Sequence, residues 1–212
     1  MRIPFLDLKV HHDCMREELE TAIREVIDSN AFAGGPFVAK FEQDFATYCG
    51  AANAIGVGNG TDALWLTMLA LGIGPGDEVL VPSLTFVATV NAILYVGARP
   101  VFVDIQSVRT PLMSLEHAES LCTARTKAVI LVHFAGYVAD PEPWRNFARR
   151  KNLHLLSDAA HAPGLKEVAA FGDAAENGKG VKPEWGSRRG LEPDEFVEVK
   201  LEPAVGLEPT TC

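Results

Sequence analysis

Four short apolar runs, each separated from the next by a stretch with helical spacing, constrain this chain more than any other feature. They are EVLVP at 78–82, PVFVDI at 100–105, KAVILVH at 127–133 and LHLLSD at 153–158. Unbroken apolar runs of that length suit strands buried on both faces rather than strands with one wet side. The intervening segments carry helix signals. Residues 85–96 read as a helix stopped by Gly97, and SLEHAESLC reads as a short helix with Ser114 as its cap. In DPEPWRNFARRK, Asp140 is the cap and Pro141 takes the first helical position, where its missing N–H costs nothing. AIGV at 54–57 reads as a further strand, followed by a helix in GTDALWLTMLALG that Gly72 ends. Strands alternating with helices of about three turns predict right-handed βαβ units. The fold class is therefore α/β: a three-layer sandwich with a mostly parallel sheet.

Ahead of the alternation the chain is helical. Met15, Leu19, Ala22, Ile23, Val26 and Ile27 fall at helical spacing and predict one helix over 13–29 with a buried stripe. Val38, Phe41, Phe45 and Tyr48 repeat the pattern in a second helix, with the Gly/Pro loop NAFAGGPFV between them. The patterning stops after Gly164. Residues 165–212 show no sustained period of two or 3.6, so residues 1–164 form the patterned body and 165–212 are expected to be irregular or disordered.

Composition narrows the function classes. The net charge is −9 and no dense Lys/Arg cluster exists, which argues against a nucleic-acid partner. Apolar stretches are broken by Gly, Pro or charge well short of a membrane span, and MRIPFLDLKV lacks the apolar core of a secretory signal. Cys14, Cys49, Cys122 and Cys212 have no close pairing and no metal-type spacing, so free thiols, no metal site and a cytoplasmic location are expected.

In parallel α/β sheets, ligands sit beyond the carboxyl ends of the strands. That rule gathers residues 58–61, residues 83–86, Asp104, His133 and Asp158 towards one crevice. GVGNGTDAL places Gly58, Gly60 and Thr61 where a strand meets a helix start, a setting for an anion or merely for a tight turn and a Thr cap. It is neither a Walker loop nor a dinucleotide fingerprint, which disfavours a nucleotide-binding oxidoreductase. Phe86 is either a core aromatic or a flat surface for a heteroaromatic ring. Asp158 is either a strand-end turn residue or a carboxylate that holds a protonated ring nitrogen. His161 would share its face if the turn is helical. A phosphate-type loop, an aromatic platform and a crevice carboxylate in that order suit pyridoxal 5′-phosphate (PLP), which needs all three.

Residues 3–164 resemble the sugar aminotransferases of the DegT/DnrJ/EryC1/StrS family. The resemblance rests on IPFLDLK, GPFVAKFEQDFATYCGAANAIGVGNGTDAL, LALGIGPGDEVLVPSLTFVATVNAI, GARPVFVDI, TKAVILVHFAGYVAD and LLSDAAHAPG, in the family's order. It implies the large domain of a fold-type I PLP enzyme, here incomplete. By resemblance, Gly60 and Thr61 with the Asp62 amide hold the cofactor phosphate, Phe86 stacks on the pyridine ring, and Asp158 pairs with the ring nitrogen. His161 stands where the family usually has Gln, near the ring's phenolic oxygen. The implied chemistry moves an amino group, commonly from glutamate, to a keto group on a nucleotide-linked sugar, in a homodimer. The family's Schiff-base lysine follows a GD…FSF stretch. Here FGD at 171–173 has no such sequel, and neither Lys179 nor Lys182 matches that context, so no catalytic lysine is assigned. The expectation is a truncated or frame-shifted product ending its family match near 164–175. A non-catalytic remnant or binding module and a PLP-dependent sugar dehydratase are the alternatives.

Overall fold

The computed structural model describes residues 7–162 and 197–199 of the 212-residue chain. Its centre is a five-stranded, wholly parallel sheet: β1 (Glu78–Pro82), β2 (Arg99–Val103), β3 (Thr126–Val132), β4 (His154–Asp158) and β5 (Val197–Val199), in the order β2-β1-β3-β4-β5. The seven α-helices among the described residues are α1 (Leu8–Cys14), α2 (Arg16–Ser29), α3 (Pro36–Cys49), α4 (Gly60–Ala70), α5 (Val87–Tyr95), α6 (Leu115–Leu121) and α7 (Pro141–Lys151).

The period-two alternation of each strand divides the core in two. Val79 and Val81 of β1, Ala128 and Ile130 of β3 and Leu156 of β4 pack with Leu64 and Met68 of α4 and Ala92 and Ile93 of α5. Leu80, Val129, Leu131 and Leu155 point the other way, against Ala118 of α6 and Trp144, Phe147 and Ala148 of α7. Helix, sheet and helix make the three layers that the strand patterning predicts. Caps match as well: Ser114 accepts from the His117 amide, and Asp140 accepts from the Glu142 amide. Among the described residues, no helix is long and apolar enough to cross a membrane.

Three expectations fail. Residues 54–57 are not a strand: Ile55 is 82% exposed, and among the described residues the sheet runs from β2 to β5 without including this segment. A strand needs a paired edge, and here the Gly56 amide donates to Glu42 Oε1 of α3 instead, at 2.7 Å. The predicted helix over 13–29 is two helices broken at Met15, and its apolar stripe buries nothing: Ile23 and Ile27 of α2 are more than half exposed. Helical periodicity reports that a face exists, not what covers it. The third failure is small: the start read at residue 85 falls at Val87. The irregular chain expected over 165–212 lies outside the described residues, apart from β5, which pairs with the end of β4.

At the amino ends of the strands, one buried carboxylate ties three segments together. Glu78, at the start of β1, accepts from Arg125 Nη2 (2.6 Å) and Nε (3.1 Å), from Thr123 Oγ1 (2.6 Å) and from Arg99 Nη1 (3.3 Å). The Thr123 and Arg125 hydrogen bonds outweigh desolvation and hold its pKa below the usual carboxylate value. Glu78→Gln should therefore lower stability by about 2–4 kcal/mol in urea unfolding at pH 7, since two guanidinium groups lose their charge partner and an amide NH2 replaces an accepting oxygen. Because its folded pKa is depressed, the wild-type contribution is present above the unfolded pKa and fades as pH falls through the folded one, so the gap between the two proteins should narrow in acid.

Candidate active site

The site forms at the carboxyl edge of the sheet, on the face covered by α4 and α5. Asp158 follows Leu156 by two residues at the end of β4, so its side chain shares that face. It is 5% exposed. Its Oδ2 accepts from Thr89 Oγ1 of α5 at 2.8 Å, and Oδ1 accepts a long bond from the Ala160 amide at 3.3 Å. Burial raises the Asp158 pKa, opposed by the Thr89 hydroxyl, the Ala160 amide and the nearby His161. Such a carboxylate is under-compensated and would gain from a cation.

α4 begins close by in the same layer, packed against α5. Its cap is Asn59, not Thr61: Asn59 Oδ1 accepts the Asp62 amide at 2.9 Å, and Asn59 Nδ2 donates to Asp62 Oδ2. Asp62 also accepts from Trp65 Nε1 at 2.9 Å. The Asp62 amide is thus engaged within the helix start, while the Gly60 and Thr61 amides have no acceptor inside the helix, as first-turn amides never do. Phe86, the residue before α5, is 70% exposed, so it is not the core aromatic that its sequence context also allowed. A large ring left in water at a helix start beside a buried carboxylate is available for stacking.

His161 lies in a turn after β4 rather than a helix, and its Nδ1 accepts the Ala135 amide at 3.0 Å. Accepting at Nδ1 places the proton of the neutral ring on Nε2, which is then a donor. Ala135 sits at φ +53°, the left-handed region, and Phe134 meets the His161 ring edge-on.

His133 turns away from this crevice. It is fully buried on the α6/α7 face, with Nε2 2.7 Å from Ser157 Oγ and Nδ1 accepting the Ala139 amide. Its own amide donates to the Asp158 carbonyl. The sequence brought His133 to the right edge but not to the opposite face. Asp104 likewise serves its own turn, accepting from the Ile105 amide while its amide donates to His117 Nδ1 of α6. Thr89 was missed altogether. Its signal is a Thr three residues after Phe86 on the sheet-facing side of α5, and nothing local distinguishes it from a core position.

Residues 13–176 match the family model described as the DegT/DnrJ/EryC1/StrS aminotransferase family. The chain belongs to that family. It is 44% identical over 165 residues to the dTDP-3-amino-3,4,6-trideoxy-alpha-D-glucose transaminase of Streptomyces venezuelae, covering 78% of this chain and 43% of that protein. It is 47% identical over 145 residues to the GDP-perosamine synthase of Caulobacter vibrioides, covering 66% of this chain and 39% of the relative. Among solved structures, DesV of S. venezuelae superposes with a TM-score of 0.74 at 44% identity, covering 77% of this chain and 44% of that one. NtdA of Bacillus subtilis, with bound cofactor PMP, superposes at 0.76 and 32% identity, covering 81% and 40%. The chain spans less than half the length of these relatives. The fold is accordingly part of the family's α/β body.

Burial lowers the His133 pKa from its ordinary value of 6.5 to about 4, so the ring stays neutral in the folded protein. Between those values the unfolded chain binds the proton and the folded one does not, so stability should fall as pH drops from 6.5 towards 4, by on the order of 2–3 kcal/mol. Thermal melts across that range should show the slope in the wild type and a flatter profile in His133→Gln.

Proposed function

We propose that this chain is part of a PLP-dependent aminotransferase that moves an amino group onto a keto group of a nucleotide-linked sugar. The observation that carries the reading is Asp158, a buried carboxylate at the carboxyl end of a parallel strand whose Oδ1 keeps accepting capacity for a protonated ring nitrogen. The residues around it fit the cofactor. The Gly60 and Thr61 amides, with the positive end of α4 and the Thr61 hydroxyl, suit its phosphate, and the Asp62 amide joins them by exchanging Asn59 for a phosphate oxygen. Phe86 suits the pyridine face. His161, with its proton on Nε2, suits the phenolic oxygen. When bound, PLP supplies an electron sink for the amino-group transfer. Asp158 would keep the ring nitrogen protonated by offering it a charge partner in a site of low dielectric. The α4 dipole would favour a doubly charged phosphate, and Phe86 would keep water off the ring.

The substrate class follows from the relatives, which are named for dTDP-, UDP- and GDP-linked sugars or their products. The nucleotide differs among them, and the amino-sugar chemistry does not. The covalent anchor of the cofactor is not assigned: neither Lys179 nor Lys182 matches the family's context, and both lie outside the described residues. The homodimer belongs to the same reading: the exposed apolar side chains of α2 and Phe32 are surface that a longer chain or a second subunit would cover.

A titration with PMP, which needs no covalent anchor, tests the reading. Trp65, hydrogen-bonded to Asp62 at the helix start, reports through its fluorescence. The wild type should bind saturably. Phe86→Ala should weaken binding about tenfold, and Asp158→Asn about 10- to 100-fold. No saturable signal from the wild type up to millimolar PMP would sink the proposal.

A further inference from the structure

Asp158 does not stand alone on its face of the sheet. Thr89 Oγ1 lies 2.8 Å from Asp158 Oδ2, and Thr85 Oγ1 lies 2.9 Å from Thr89 Oγ1. Thr89 is completely buried, and Thr85 sits in the loop that carries Phe86. Chemistry sets the direction of this chain. An ionised carboxylate only accepts, so the Thr89 proton points to Oδ2. The Thr89 oxygen is then the acceptor for the Thr85 proton. A hydroxyl that is itself hydrogen-bonded at oxygen donates more strongly, and the low dielectric around Thr89 magnifies the effect.

We propose that Thr89, oriented by Thr85, is a positioning residue that keeps Asp158 ionised and commits Oδ2 to the protein, leaving Oδ1 for a cationic ring. The inference rests on the PLP reading for the identity of that ring, but the Thr89–Asp158 coupling is a property of the chain alone. A valine of nearly the same shape would leave Oδ2 buried without a donor, and burial already pushes the Asp158 carboxyl towards its neutral form. A neutral Asp158 loses the charge that a protonated ring nitrogen needs. The same device couples the aromatic platform to the carboxylate: a shift of the Phe86 loop moves Thr85, and with it the donor strength of Thr89. His161 is the titratable group that would act on Asp158 when protonated, and the His133 ring lies across the sheet on Ser157.

The test has two readouts. The first is the carboxyl titration of Asp158, followed by carbon NMR on the full chain without cofactor. Thr89→Val should raise its midpoint above that of the wild type, and Thr89→Ser, which keeps the donor, should restore it. The second is PMP affinity in a double-mutant cycle. Thr89→Val should weaken binding about tenfold in the wild-type background and change it by no more than about twofold in Asp158→Asn. Equal losses in both backgrounds would mean that Thr89 merely packs, and would overturn the inference. So would an unchanged Asp158 midpoint. If Thr89→Val does not fold by circular dichroism, Thr85→Val serves, since it keeps the bond to Asp158 and removes only the donor behind it. It should shift the midpoint in the same direction by less, and no shift overturns the proposal. A wild type that fails to bind PMP sinks the cofactor reading alone, and the carboxyl midpoints still decide the role of Thr89.

Discussion

A carboxylate buried at the end of a central strand is the costliest arrangement in this structure, and its surroundings are organised by the need to offset that cost. Asp158 is almost wholly shielded from water, so most of the compensation must come from the protein or from a ligand. The Thr89 hydroxyl supplies part and the Ala160 amide a weaker part, and His161 adds a field of the right sign only in its protonated form. Their sum leaves the carboxyl still raised above its ordinary pKa. A group held in that condition attracts a cation more strongly than a fully solvated aspartate would, which is the electrostatic preparation that binding sites exploit.

The sheet works as a partition between two polar systems that touch back to back. On the α4/α5 face lie Asp158, Thr89 and Thr85. On the α6/α7 face, one residue earlier along β4, Ser157 meets the ring of His133, whose other nitrogen takes the Ala139 amide. His133 thereby pins both ends of the loop after β3, and His161 pins its middle through Ala135. The left-handed turn at Ala135 and Gly136 is affordable because both ends and the middle are fixed. The turn holding His161 is thus fastened to the sheet through a residue on the far side of it, which explains how a short irregular segment can present a ring nitrogen in a defined direction.

Much of the architecture was legible because its signals are local. The middles of three runs, residues 79–81, 128–131 and 155–156, are apolar at every step because both faces are covered, and the caps Ser114 and Asp140 act on amides two or three residues away. Phe86 and Asp158 could be placed at the carboxyl edge from strand ends alone. The strand read at 54–57 failed because pairing is not local: its four apolar-leaning residues look the same whether or not a neighbouring edge exists. The stripe of α2 failed for the same reason, since covering a face requires another element. Thr89 was invisible because it lies 69 positions from the group it serves, and only the packing of α5 across the sheet brings them together. Asn59, which takes the capping role that Thr61 seemed to offer, was a closer miss: both are good caps, and the choice turns on where the first helical turn begins.

The distribution of these contacts bears on what a partial chain of this family can do. The polar groups proposed for the cofactor are fixed by contacts inside residues 59–161: the start of α4 by Asn59 and Trp65, Asp158 by Thr89, His161 by Ala135. The helices that bury no side chain, α1 and α2, lie outside this set. Preorganisation of the carboxylate, the amides at the start of α4 and the imidazole therefore depends on the βαβ body rather than on the amino-terminal helices. In the proposed reading, non-covalent recognition of a pyridoxal ring and covalent anchoring of it are separable tasks, and the described sheet and its flanking helices would serve the first. That separation is physically reasonable, because a charged pair, a stacked ring and a phosphate at a helix start each contribute without a covalent bond.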